Sequence, residues 1–279
     1  RHTKKHIVMK ISIFHKLAIL GMLFAVFSVN AMAEPVPGYN PSEARDGITG
    51  RIIALGLEFE VNAGTNIGGA APLPLPGEIR EINSYSPNLN LQIGGTATKW
   101  FDVEKRWGAA VGIRFETKGM ETKATVKNYG MEILENGKIL KGNWTGKVQT
   151  KYHTQQLVVP ITAVYRVNRR LKVNFGPYLS YAFDNDFDGY VSDGYLREGN
   201  PTGDKYVFEG DAMASYNFSN DLRKFQWGMQ GGVSWSAYKH LLVNANLAWG
   251  CNGIFESSFK TISFKMYPIY LNVGFGYLF

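Results

Sequence analysis
From Gly50 to the end of the chain, apolar residues recur at every second position, the period of a strand with one apolar face. Eight segments carry this alternation, at about Gly50–Val61, Leu89–Phe101, Trp107–Lys118, Gln155–Val167, Leu171–Phe183, Phe225–Ala237, Leu241–Gly250 and Met266–Phe279. In the first, Ile53, Leu55, Leu57, Phe59 and Val61 oppose Ala54, Gly56, Glu58 and Glu60. In the third, Trp107, Ala109, Val111, Ile113 and Phe115 oppose Gly108, Ala110, Gly112, Arg114, Glu116 and Lys118. In the last, Tyr267, Ile269, Leu271, Val273, Phe275, Tyr277 and Phe279 oppose Tyr270, Asn272, Gly274 and Gly276. No long stretch has a helical period, and after residue 33 no apolar run approaches the length of a spanning helix.

The connections alternate in length. Asp102–Arg106, Asn168–Arg170 and Tyr238–Lys239 are tight; Asn62–Asn88, Gly119–Thr154, Asp184–Lys224 and Cys251–Lys265 are long loops. An even number of strands of about ten to fourteen residues, with short turns on one side and long loops on the other, predicts an all-β fold, an eight-stranded antiparallel transmembrane β-barrel with short periplasmic turns and long extracellular loops. Closure pairs every backbone polar group, as lipid demands. A soluble sandwich or lipocalin-type barrel has the same alternation with the apolar face inward. Two features oppose it. The non-apolar faces are Gly, Ser, Asn and Gln with a few charges, a set suited to a narrow lumen and poor in the Lys and Glu of a wetted surface. Aromatics also gather at both ends of the apolar faces, as membrane-interface belts do: Phe101, Trp107, Tyr165, Trp235, Tyr277 and Phe279 toward the short turns, Phe115, Tyr181, Phe183, Trp227, Trp249 and Tyr267 toward the long loops.

The N-terminus changes the charge picture. Lys10 and Lys16 precede the apolar run Leu17–Phe27, and Ala31-Met32-Ala33 follows as a small-x-small site, the three-part pattern of a secretory signal peptide cleaved after Ala33. Residues 1–33 form the leader, 34–49 a periplasmic segment and 50–279 the barrel. Five of the 30 Lys and Arg lie in the leader, which has no Asp or Glu, leaving 25 basic against 23 acidic residues. The formal charge of +7 therefore does not point to nucleic acid. The single cysteine, Cys251, excludes an internal disulfide framework and a cysteine-built zinc site.

Three segments carry a family resemblance. Tyr267–Phe279 resembles the closing strand of bacterial outer-membrane proteins, and the resemblance implies that Phe279 is read by the barrel-assembly machinery. Gln156-Leu-Val-Val-Pro-Ile-Thr-Ala-Val-Tyr165 and Phe175-Gly-Pro-Tyr-Leu-Ser-Tyr181 resemble strands of PorT-like outer-membrane β-barrel proteins, where Val158 and Val164 stand in place of frequent Glu and Lys. The resemblance implies location in the outer membrane and assigns no activity.

Candidate chemistry is sparse. Eight strands enclose a lumen that side chains can fill, and Glu58, Glu60, Arg114, Glu116, Arg166 and Lys172 form a candidate internal salt-bridge network. The two histidines after the leader, His153 and His240, fall at opposite interfaces and cannot share a catalytic site. Asp184-Asn-Asp186-Phe-Asp188-Gly189 matches the opening of a calcium loop, with Tyr195 in place of the closing Glu and Asp193 as a partial substitute. No other cofactor is expected. The resulting expectation is a non-enzymatic outer-membrane protein that contacts membrane lipid and binds an external or envelope protein partner. The alternatives are a small channel and a barrel-embedded lipid-modifying enzyme.

Overall fold
The computed structural model describes residues 56–135 and 137–279. The expected leader, the segment 34–49, and Ile53 and Leu55 lie outside the described residues. The described residues form ten strands: β1 (Leu57–Pro72), β2 (Ile79–Pro87), β3 (Leu91–Trp100), β4 (Trp107–Glu135), β5 (Lys138–Arg166), β6 (Leu171–Glu198), β7 (Lys205–Asn217), β8 (Phe225–Tyr238), β9 (Leu241–Gly250) and β10 (Met266–Leu278). Eight of them close a ring in the order β1–β3–β4–β5–β6–β8–β9–β10 and back to β1, every pair antiparallel. Seven of these contain or closely match segments the alternation predicts; β1 shares only Leu57–Val61 with the first predicted segment and continues into the expected Asn62–Asn88 loop. No helix among the described residues is long and apolar enough to cross a membrane.

Closure rests on β1 against β10, with Val61 opposite Tyr277 and Thr65 opposite Val273. Gly64 faces Gly274, and a Cβ on Gly274 would lie 2.3 Å from the Ala63 carbonyl oxygen and 2.7 Å from the Gly64 Cα. Only glycine lets the two backbones approach this closely. The short turns are held by side chains. The Asp102 carboxylate accepts the Arg106 and Trp107 amides at 2.9 Å, and the Asn168 side-chain oxygen accepts those of Arg170 and Leu171 at 2.8 and 2.9 Å. Both are local side-chain turns that satisfy backbone amides before the strand resumes.

The ring is apolar outside and polar inside. Val111 is 44% and Ile161 46% exposed, whereas Gln92, Arg114, Glu116, Gln156, Gln226, Gln230, Asn244 and Asn272 are buried. Aromatic pairs frame the band: Trp107 against Tyr165 (4.4 Å between centroids) at one end, Phe115 against Phe183 (5.6 Å) at the other. The eight-residue step from Trp107 to Phe115 runs roughly 26 Å along the strand, or about 20 Å of height at the ~35–45° tilt of such barrels, so the two aromatic pairs sit near the edges of a ~25 Å apolar band.

The expected long loops are the main correction. Gly119–Thr154 is not a loop: β4 and β5 run unbroken through it as a hairpin of two 29-residue strands. The 28-residue β6 continues through Asp184–Asp188 and pairs with β7, β1 runs on to Pro72, and β2 pairs with β4. Together these extensions build a crown above the barrel. Its wall is β4, β5, β6 and β7, and β7 returns to β4 through the pair Leu134–Ser215.

Candidate functional site: a plugged lumen beneath an ordered crown
Two charged layers fill the lumen. Toward the short turns, Glu58 takes Arg166 and Lys172, each at 2.8 Å, and accepts the Trp100 indole N–H at 3.2 Å. Arg166 also stacks over the Trp100 ring at 4.4 Å, and Glu60 accepts from Asn244 Nδ2 at 2.6 Å. At the crown end of the band, Glu116 is clamped between Arg114 (2.9 Å) and Lys118 (3.0 Å) and is only 2% exposed. Arg114 also donates to Gln230 Oε1 at 2.7 Å. Lys118 lies over the rings of Tyr178 and Tyr270, at 5.7 and 5.3 Å.

The six charges expected to form one network therefore do meet, as two layers. Lys118, a member of the same alternating face, completes the upper one. Between the layers lies a cavity of about 70 Å³, lined by Glu60, Gln92, Arg114, Lys172, Asn174 and Asn244 among others. The oxygens Gln92 Oε1, Asn174 Oδ1 and Asn244 Oδ1 have no protein partner, and such buried acceptors call for water. Val158 and Val164 are buried on the inner face.

Above Lys118 the chemistry of the inner face changes. Met120, Val126, Tyr129, Met131 and Ile133 of β4 join Trp144 and Val148 of β5, Phe187, Val191 and Leu196 of β6, and Phe208 and Tyr216 of β7 in one apolar core. The Cys251–Lys265 connection, which the sequence places correctly as a loop, adds Phe255, Phe259, Ile262 and Phe264. Phe187 sits at the centre, within aromatic-pair distance of Phe255 (4.9 Å), Tyr152 (6.2 Å), Phe218 (6.3 Å) and Tyr216 (6.5 Å).

Two bulges keep the apolar residues inward. On β6, Gln156 pairs with Ala182 but Gln155 with Asp184, so Phe183 is an extra residue. Inward positions shift from Tyr178, Ser180 and Ala182 to Phe187 and Val191. On β4 the register breaks between Val126 and Tyr129, with Asn128 at φ 57°.

The first bulge decides where the aspartates go. Asp184, Asp186 and Asp188 stand on an extended strand, opposite Gln155, His153 and Lys151 of β5. The strand spaces them about 6.6 Å apart per two residues, a ladder where a calcium loop needs convergence. Among the described residues no group of three or more His, Cys, Asp or Glu is placed to hold a metal. Asp193 is paired with Lys147 at 2.9 Å. His153 lies on the crown end of β5, while His240 lies in the β8–β9 turn, its Nδ1 2.6 Å from the Leu278 carbonyl oxygen. They sit at opposite ends of the barrel, as expected.

A closed antiparallel ring with a lipid-compatible wall, aromatic belts and a polar filling defines a membrane-spanning β-barrel protein. The chain belongs to the outer membrane protein beta-barrel domain family, whose model matches residues 41–256, and it is a protein of the outer membrane. Among solved structures, it is similar to the attachment invasion locus protein Ail of Yersinia pestis in complex with the heparin analogue sucrose octasulfate (10% identity over 80% of this chain and 97% of Ail, TM-score 0.31). It is also similar to Neisserial surface protein A (13% identity, 80% and 97% covered, TM-score 0.29). OprG of Pseudomonas aeruginosa is a third likeness (14% identity, 80% and 95% covered, TM-score 0.26). No curated protein matches the chain.

Proposed function
We propose that this is a non-enzymatic surface protein: the barrel is an anchor and the crown binds an external partner. The observation that carries this reading is the contrast between a lumen closed by the Arg114–Glu116–Lys118 clamp and a crown that spends over a hundred residues on an ordered, core-bearing structure outside the membrane band. A small channel is the runner-up, supported by the polar cavity between the layers. The clamp and the rings of Tyr178 and Tyr270 stand across that path. A lipid-modifying enzyme has no supporting constellation around His153.

The PorT-like assignment rests on Gln156–Tyr165 and Phe175–Tyr181, both in the membrane band. Phe279 is proposed to dock on the assembly machinery; its ring packs edge-on against Tyr277 at 5.0 Å, at the end of the outward aromatic face. The reading is tested by recording purified protein in planar bilayers beside cell-surface binding by wild-type and crown-deleted strains. It expects silent bilayers and loss of surface binding on deletion. Steady conductance steps from the wild type would favour the channel.

A further inference from the structure
The β4–β5 hairpin end meets β7 through Leu134 and Ser215, and beside this seam lies a cleft of about 490 Å³. That volume falls within the ~300–1,000 Å³ of small-molecule sites. Strand register builds one wall, with Lys151, Asp188 and Asn217 side by side across β5, β6 and β7. Leu134, Ile139 and Phe218 give it an apolar side, and Glu132 and Asp221 complete its charges.

The charges do not balance. Three carboxylates face one ammonium. Glu132 is engaged, by Lys141 Nζ and by Thr261 Oγ1 at 2.7 Å. Asp188 and Asp221 make no ion pair among the described residues, and Lys151, although the cross-strand neighbour of Asp188, is not within ion-pair distance of it. Partial burial, then the charges of Glu132 and Glu256, hold the Asp221 carboxyl above its ordinary range, and no cation acts on it in the other direction. The carboxylates are too dispersed for a metal ion. They suit a larger cation whose donors reach separate oxygens.

We propose that this cleft binds an ammonium or guanidinium group on an aliphatic stem. Asp188 and Asp221 take the charge, and Leu134 and Ile139 cover the stem. The same chemistry comes from a free alkyl diamine or from a Lys or Arg side chain of a protein. The proposal rests on the reading of the crown as a binding surface and adds the class of ligand.

The test is calorimetric titration of the full mature chain, folded in detergent micelles, with putrescine, N-acetylarginine amide and an extended peptide carrying one Arg. The uncharged isostere N-acetylcitrulline amide is the control. Cationic probes should bind and the citrulline compound should not. Asp188→Asn with Asp221→Asn should weaken binding about tenfold or more, the signature of a lost charge-assisted contact. If that double variant does not fold, Lys151→Glu, which removes the competing ammonium, should tighten binding in its place. A peptide at least about tenfold tighter than putrescine assigns the site to a protein side chain, and equal affinities assign it to free amines. Equal binding of the citrulline compound, affinity unmoved by the variants, or no binding of any probe at about 10 mM would overturn the proposal. Such a failure leaves bilayers silent and surface binding still lost on crown deletion, whereas failure of the surface-binding reading would appear as conductance or as surface binding unchanged by that deletion.

Discussion
The barrel and the crown are made from the same strands yet solve opposite problems. Along β4, the residues pointing inward are Arg114, Glu116 and Lys118 at the crown end of the membrane band, then Met120, Val126, Tyr129, Met131 and Ile133 above it. On the outward face, Val111 within the band is exposed to lipid and Lys123 above it to water. The backbone ladder to β5 continues through the change, interrupted only by short register breaks. What differs is which face must meet an apolar medium, so side-chain polarity inverts while hydrogen bonding does not. The lumen holds charges because pairing and hydrogen bonding there offset desolvation. The crown holds a conventional apolar core.

The comparison is broken most severely at its two centres. Trp144 is fully buried in the crown, and Trp144→Ala should cost roughly 3–5 kcal/mol. Limited proteolysis should then cut the crown, while the barrel keeps its heat-modifiable gel mobility. In the lumen, Glu116→Ala leaves Arg114 and Lys118 buried without their shared counterion, a loss of about 3–5 kcal/mol. Urea unfolding followed by tryptophan fluorescence measures it. Replacing all three charges together by Gln, Met and Met should cost less than the single change.

A milder pair sharpens the inside–outside assignment. Val111→Arg on the lipid face should cost about 2–4 kcal/mol. Val207→Arg, outward on β7 in the crown, should stay within about 0.5 kcal/mol. Equal costs would mean that both positions face the same solvent. The smallest effect concerns Glu132, whose carboxyl is held below its ordinary range, first by the hydrogen bond from Lys141, then by that from Thr261. Lys141→Ala should cost at most about 1 kcal/mol at neutral pH. A lowered folded value means this stability is present above the unfolded value and lost as pH falls through the folded one. The difference between variant and wild type in thermal melts should therefore vanish in acid.

The barrel was legible because one rule, alternation, holds from end to end of each spanning segment, and Leu241–Gly250 is bounded to the residue. The charged layers were legible because charges on an apolar-flanked face must pair. The crown was harder to see. Its outward face is rich in Lys, Glu, Thr and Asp, the composition of a loop, and the two bulges break the parity that marks a strand. The signal that would have found the hairpin is Asn136-Gly137 between alternating apolar runs, with Gly137 at φ 77°. At Asp184–Asp188 the carboxylates matched a calcium pattern, while Phe187 between them carried the structural information. The cleft depends on β7 returning to β4, a contact between distant segments that periodicity does not encode.

The inversion of polarity along one strand is tested most directly by nitroxide labels at single cysteines along β4 from Trp107 to Glu135, in a Cys251→Ser background and in lipid bilayers. Collision with oxygen reports lipid, and collision with a water-soluble nickel complex reports water. Outward positions Ala109, Val111, Ile113 and Phe115 should favour oxygen. Glu121, Lys123, Glu132 and Leu134 should favour nickel, and Tyr129, Met131 and Ile133 should be shielded from both. Oxygen-dominated collisions persisting at Glu121 and Lys123, or nickel reaching Met131 and Ile133, would contradict a barrel that turns itself inside out where it leaves the membrane.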